Sequence, residues 1–179
     1  MKIFDITNPQ ELLEYMNENI RYGWLDKDNV EHIDTMKGFR DEYHTLTNGE
    51  VIINKLGTCI EQTNLEVLVM SNLHIPYKAY CLRSYEDDPN IVEPKMHCFL
   101  LYFENDKCYH FEHSNPEKRG IHEYENEEQA LNDILSYYQE RDKGETRQLV
   151  QMPIVEPNMS WHEWNAYLDA IDEENKKCL

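Results

Sequence analysis

The residues best suited to chemistry lie in the segment Gly57–Gln62, which opens a mostly apolar run. Thr58 followed three residues later by Glu61 is the pattern of a capping box, in which each side chain bonds the other residue's backbone N–H. Thr58 is therefore expected to cap a helix that begins at Cys59. A thiol there faces unpaired N–H groups and the positive end of the helix dipole, which favour the nucleophilic thiolate. Cys59 is a candidate nucleophile; the alternative is a buried structural cysteine.

The partner groups that a nucleophile needs occur in two predicted strands, over residues 96–103 and 107–113. If Asn105 and Asp106 form a two-residue turn, the numbers of paired residues add up to 211. His97 and Glu112 then share one face as diagonal neighbours, about 7 Å apart at the backbone and within side-chain reach. A three-residue turn would instead bring His113 beside His97.

A zinc site is the other interpretation of this hairpin, with ligands among Cys98, Cys108, His110 and His113. The same register places Cys98 on one face and Cys108 with His110 on the other. Structural zinc sites also favour close Cys-x-x-Cys pairs, and the sequence contains none. We expect neither a metal nor another cofactor.

Two further groups could act beside Cys59. Gln62 follows one helical turn later, and it binds substrate if it points into the same cleft; otherwise it is an ordinary helix residue. The backbone N–H of Cys59 is the expected donor to an oxyanion, because it lies at a helix start. The sequence does not name a second donor.

Several segments resemble the transglutaminase-like superfamily, whose α+β core and Cys–His–Asp triad are similar to those of papain-like enzymes. They are Gly57–Cys59, Leu73–Pro76, His97–Tyr102 and Cys108–Glu112, with weaker likeness at Tyr22–Trp24 and Arg119–Tyr124 to bacterial members. The resemblance spans residues 50–115 and implies a triad of Cys59, His97 and Glu112. The chain departs from the pattern in using Glu for the usual Asp, and in having Ile60 where an aromatic residue is usual.

The order of predicted elements indicates an α+β fold with an antiparallel sheet packed on the Cys59 helix. Helices are predicted after the caps Asn8, Thr58, Asn126 and Ser160, and strands over residues 77–84, 96–103, 107–113 and 147–152. Residues 24–47 are interpreted as loops with a short helix. We expect one domain over 1–179, with its core at 48–115 and a C-terminal helical extension at 126–175.

Composition limits the partners and the compartment. The chain has 35 acidic and 17 basic residues and a formal charge of −18, which argues against nucleic-acid binding. No apolar stretch is long enough for a membrane span, and the N-terminal residues lack the pattern of a signal peptide. The five cysteines form no disulfide framework, so we expect a cytoplasmic protein with reduced thiols.

These expectations combine into a function class. The resemblance implies a thiol-dependent acyl transferase or hydrolase that acts on an amide bond, as a peptidase, amidase or transglutaminase does, with a protein or peptide as substrate. The alternative is a catalytically inactive binding module that retains the same fold, because fold alone does not fix function.

Overall fold

The structure, a computed structural model, describes residues 2–33, 35–85, 94–142 and 146–177. These residues form six α-helices and two β-sheets, so the fold is mixed α+β, as the order of elements predicted. Among the described helices, none has the length and apolar character needed to cross a bilayer.

The N-terminal part of the chain forms a small three-stranded sheet with its flanking helices. Its elements are α1 (Pro9–Asn19), β1 (Arg21–Leu25), β2 (Glu31–Ile33), α2 (Phe39–Glu42), α3 (Asn48–Asn54) and β3 (Leu56–Gly57), after a 3-10 turn at Ile3–Asp5. β1 lies in the centre, antiparallel to β2 and parallel to β3. We did not predict these strands, because two to five residues are too few to show alternation of apolar and polar positions.

The rest of the described chain forms the main sheet and the longer helices. Its elements are α4 (Cys59–Asn72), β4 (Tyr77–Tyr85), β5 (Lys95–Glu104), β6 (Lys107–Glu112), β7 (Gly120–Tyr124), α5 (Glu127–Arg141), β8 (Thr146–Gln151) and α6 (Trp161–Lys177). The five strands pair antiparallel in the order β7-β6-β5-β4-β8. The predicted strands are present with their ends shifted by one residue, and β7 is an additional edge strand.

The start of α4 is fixed by the predicted capping box. The carboxylate of Glu61 accepts a hydrogen bond from the Thr58 N–H at 2.8 Å, and the Thr58 hydroxyl accepts one from the Ile60 N–H at 3.2 Å. Both box residues are buried, and the Tyr43 hydroxyl donates to the same Glu61 carboxylate. The box therefore fixes the first turn of α4 against α2 and makes Cys59 its first residue.

The β5–β6 hairpin has the predicted register. Leu101 pairs with His110 and Glu104 with Lys107, so each pair adds up to 211. Asn105 and Asp106 have φ values of 52° and 60°, the left-handed geometry that a two-residue type I′ turn requires at both positions. Side-chain parity along β6 follows from this turn, and His97 and Glu112 fall on one face.

Helices cover both faces of the main sheet. α4 and α1 pack on the face of β5 that carries Leu100 and Tyr102. α5 packs on the opposite face, where Ile134 and Tyr138 contact a cluster with Phe99 and Leu101. The central strands of the sheet are therefore covered on both sides.

Candidate active site

Cys59 lies where α4 meets the end of the main sheet. Its side chain is 5% exposed and lines a cavity of about 510 Å³. The thiol reaches the backbone of β5, where its Sγ is 3.8 Å from the carbonyl oxygen of Met96. This contact is possible because β6 pairs with β5 only as far as Leu100 and Phe111 among the described pairs. The first residues of β5 therefore have an open edge toward α4.

His97 lies at this open end of β5 and is bound by the acid from β6. Its Nε2 is 2.7 Å from the Glu112 carboxylate. Glu112 is 2% exposed, and its second oxygen accepts hydrogen bonds from the Asn115 N–H at 2.8 Å and the Ser114 hydroxyl at 3.1 Å. The carboxylate is thus held by the turn after β6, and it fixes the orientation of the imidazole.

Cys59, His97 and Glu112 shift each other's pKa values in the directions that favour the charged forms. Hydrogen bonds from Cys98, and then from His97, lower the pKa of Cys59 well below its usual value, although burial opposes this. Burial alone would lower the pKa of His97, but Glu112 and Cys59 raise it to about 10. Burial likewise opposes the charge of Glu112, yet His97 and His110 hold the pKa of that carboxyl well below its usual range. The favoured state is a thiolate beside an imidazolium.

Two buried residues outside the predicted triad adjoin this group. His110 Nε2 is 3.6 Å from the Glu112 carboxylate, and burial lowers the pKa of His110, so its imidazole stays neutral. Glu66, two turns after Cys59 on α4, has one carboxyl oxygen without a hydrogen-bond partner. Burial and the nearby Glu112 raise the pKa of Glu66 well above its usual value, which favours a neutral acid. Neither residue adds charge beside the thiolate.

Gln62 does not occupy the cleft position that we considered for it. Its side chain is 0% exposed, and its amide N–H donates to the Gly57 carbonyl at 2.8 Å. Its amide oxygen is 2.6 Å from Nδ1 of His113, which lies on the face of the hairpin opposite to His97. The amide ties α4 to the end of β6, and Gln62 is not among the residues that line the Cys59 cavity.

The potential zinc ligands of the hairpin are separated as the register requires. Cys98 packs in the cluster with Cys59 and Cys81, whereas Cys108 packs in the cluster against α5. In the described part of the chain, no group of three or more His, Cys, Asp or Glu residues is arranged to hold a metal ion.

The cavity beside Cys59 combines apolar walls with charged residues. Its apolar and aromatic lining comes from β1, α2, α4, β5 and α6, through Tyr22, Phe39, Ile60, Met96 and Trp161. Arg40, Asp41 and Lys95 also line it and are exposed. Sequence reasoning missed these walls, because they come from segments that lack a strong periodic pattern.

This arrangement can do nucleophilic chemistry. A thiolate at a helix start, an imidazolium beside it and a buried carboxylate on the imidazole are the three parts of a nucleophile, base and orienting acid. Cys59 is one of the residues that line the cavity.

No protein-family model matches the chain, and the search of curated proteins finds no match either.

Proposed function

We propose that this protein is a thiol-dependent acyl transferase or hydrolase that acts on an amide bond through Cys59, His97 and Glu112. The observation that carries the proposal is the 2.7 Å contact between His97 Nε2 and the Glu112 carboxylate. The same imidazole lowers the pKa of the Cys59 thiol. A carboxylate in this position fixes the tautomer of a catalytic histidine and stabilises its charged form.

The proposed reaction begins from the ion pair. The Cys59 thiolate attacks the amide carbonyl, and the developing oxyanion accepts a hydrogen bond from the Cys59 N–H at the open end of α4. His97 gives its proton to the leaving amine, which departs and leaves an acyl-enzyme. Water or an acceptor amine then attacks the acyl group while His97 takes up its proton, and the thiolate is released.

The cavity indicates which part of a substrate binds beside the thiol. At about 510 Å³, it lies within the range of about 300–1,000 Å³ that small ligands and side chains occupy. Its apolar and aromatic walls suit an apolar side chain next to the reacting carbonyl, and its exposed charged residues suit the polar backbone of a peptide. We therefore propose a protein or peptide substrate.

The proposal includes membership of the transglutaminase-like superfamily. A helix that begins with the cysteine, a strand that carries the histidine and a following strand that ends with the acid occur in the order that the resemblance requires. Glu112 stands for the usual Asp; its longer side chain reaches the imidazole. Ile60, in place of an aromatic residue, lines the cavity.

An activity-based probe tests the function. A peptide that carries an acyloxymethyl ketone should label the wild type at Cys59, and the label should be absent in Cys59→Ser and weak in His97→Ala. Mass spectrometry of the labelled peptide identifies the residue. Binding of peptide by a protein whose Cys59 stays unlabelled would instead identify the alternative, a catalytically inactive binding module with the same fold.

A further inference from the structure

Tyr22 lies beside the proposed nucleophile although it is far from it in the sequence. In the parallel pairing of β1 with β3, Tyr22 is the partner of Gly57, which precedes Cys59 by two residues. Tyr22 also lines the same cavity as Cys59. The small sheet therefore brings a phenolic donor to the first turn of α4, on the side that a substrate enters.

From this position we infer that the Tyr22 hydroxyl is the second donor to the oxyanion, together with the Cys59 N–H. The inference rests on the proposed acyl transfer. When the sulfur bonds to the carbonyl carbon, its negative charge moves to an oxygen two bonds away. A hydroxyl that lines the same cavity as the sulfur can rotate about its C–O bond and direct its proton toward that oxygen.

The step leaves the tyrosine chemically unchanged. The thiolate electron pair forms the S–C bond, and the π pair of the carbonyl becomes the oxyanion, which accepts hydrogen bonds from Cys59 and Tyr22. Collapse of the oxyanion expels the leaving group, and no proton leaves Tyr22. Burial, followed by the charge of Cys59, raises the pKa of Tyr22 well above its usual value, so the phenol remains a donor at working pH.

Tyr22 could instead stabilise only the thiolate before the reaction, and this role makes a different prediction for the rate of acyl transfer. If Tyr22 stabilises only the thiolate, its removal raises the pKa of Cys59 but leaves an equally or more nucleophilic sulfur once that sulfur is ionised. If Tyr22 stabilises the oxyanion, its removal slows acyl transfer even when the thiolate is fully formed.

Two reactions of the same sulfur separate these roles. Acylation by p-nitrophenyl acetate passes through an oxyanion, whereas alkylation by iodoacetamide displaces iodide at a saturated carbon and forms none. Rates are measured against pH for the wild type and Tyr22→Phe, with Cys59→Ser as the background, and the plateaus are compared. Tyr80→Phe is the matched control, because it removes another partly buried hydroxyl, one that is bonded to Glu127 away from the cavity.

We expect the acylation plateau of Tyr22→Phe to fall by about 100-fold or more, the usual loss for one oxyanion donor, while its alkylation plateau stays unchanged. Tyr80→Phe should retain both plateaus. Equal acylation plateaus in wild type and Tyr22→Phe, or a parallel fall in both reactions, would overturn the inference. Wild type that alkylates but does not acylate above the Cys59→Ser background would overturn the proposed function itself.

Discussion

The charge on Cys59 depends on groups from three elements. The first turn of α4 places the sulfur, β5 supplies His97 and the hydrogen bonds of Cys98, and the end of β6 supplies Glu112. Each group favours the same state, so the pKa of Cys59 is lowered although the residue is buried. Without them, burial would favour the neutral thiol.

The first prediction concerns pH. A free thiol with a pKa of about 8.5 is only about 1% ionised at pH 6.5, so its alkylation rate rises about 100-fold toward alkaline pH. The pKa of Cys59 is lowered and that of His97 is raised to about 10. We therefore expect the alkylation rate of Cys59 to be nearly independent of pH between the pKa of Cys59 and that of His97. The measurement is the iodoacetamide rate against pH, with Cys59 identified by mass spectrometry. A single inflection near 8.5 would contradict the ion pair.

The second prediction is that Glu112→Gln slows this alkylation. The amide retains the size and the acceptor oxygen that bind Asn115 and Ser114, but it loses the charge that stabilises the imidazolium. An opposite charge at this range shifts a pKa by about 1–3 units, so the pH below which the alkylation rate declines should rise by about that amount.

His113→Gln is the matched control for Glu112→Gln. His113 bonds Gln62 on the other face of the hairpin, so its replacement should lower the free energy of unfolding by about 1–3 kcal/mol while the alkylation profile is retained. Loss of reactivity in His113→Gln with normal reactivity in Glu112→Gln would show that His113, and not Glu112, orients His97.

The third prediction concerns stability and acid. The folded-state pKa of Glu112 lies below its unfolded value, so the carboxylate contributes stability that is fully present above the unfolded value and is lost as pH falls. Gln at this position does not titrate. The difference in unfolding free energy between wild type and Glu112→Gln should therefore shrink as pH decreases from about 5 to 3. Urea denaturation across this range checks it, and a constant difference would exclude the coupling.

At the scale of elements, short sequence motifs predicted the features that interactions between neighbouring residues determine. The Thr58–Glu61 box set the start of α4, and the Asn105–Asp106 turn set the hairpin register that brings Glu112 to His97. The strands of the small sheet were not predictable in this way, since β3 is two residues long and is defined by its pairing with β1. The position of Tyr22 depends on that pairing, so it emerged only from the structure.

The fourth prediction tests the hairpin turn. Asp106 has a φ of 60°, which glycine adopts without the steric cost of a Cβ atom. Asp106→Gly should therefore stabilise the protein by about 0.5–1 kcal/mol, and Asn105→Ala should destabilise it by about 1–2 kcal/mol. Both variants should retain the alkylation profile of Cys59, because the register is unchanged. Thermal unfolding of the two variants gives the two signs. A destabilising Asp106→Gly together with a stabilising Asn105→Ala would exclude a type I′ turn.

At the scale of the whole molecule, the site is assembled from distant parts of the chain. The cavity walls come from β1, α2, the start of β5 and the first residue of α6. No local pattern connects these segments, so sequence reasoning found the reacting groups but not the surface around them. A buried cation on β4 also contacts α6.

That cation is Arg83, which is 2% exposed and joins the main sheet to α6. Its guanidinium donates to the Asp169 carboxylate at 2.6 Å, to Gln148 at 3.2 Å and to Asn165 at 3.4 Å. The Asp169 side chain is 61% exposed, so the two partners differ in what their removal leaves behind.

The last prediction follows from this asymmetry. Asp169→Ala leaves a buried guanidinium without its counter-charge, which should cost about 3 kcal/mol or more of unfolding free energy. Arg83→Met leaves an exposed carboxylate that water solvates, and it keeps an apolar stem in the same space, so its cost should be about 1–2 kcal/mol from lost hydrogen bonds. Urea denaturation of both variants tests the order. If Arg83→Met were the more damaging change, the packing and hydrogen bonds of the arginine, rather than neutralisation of its charge, would dominate the attachment of α6 and, through Trp161, one wall of the cavity.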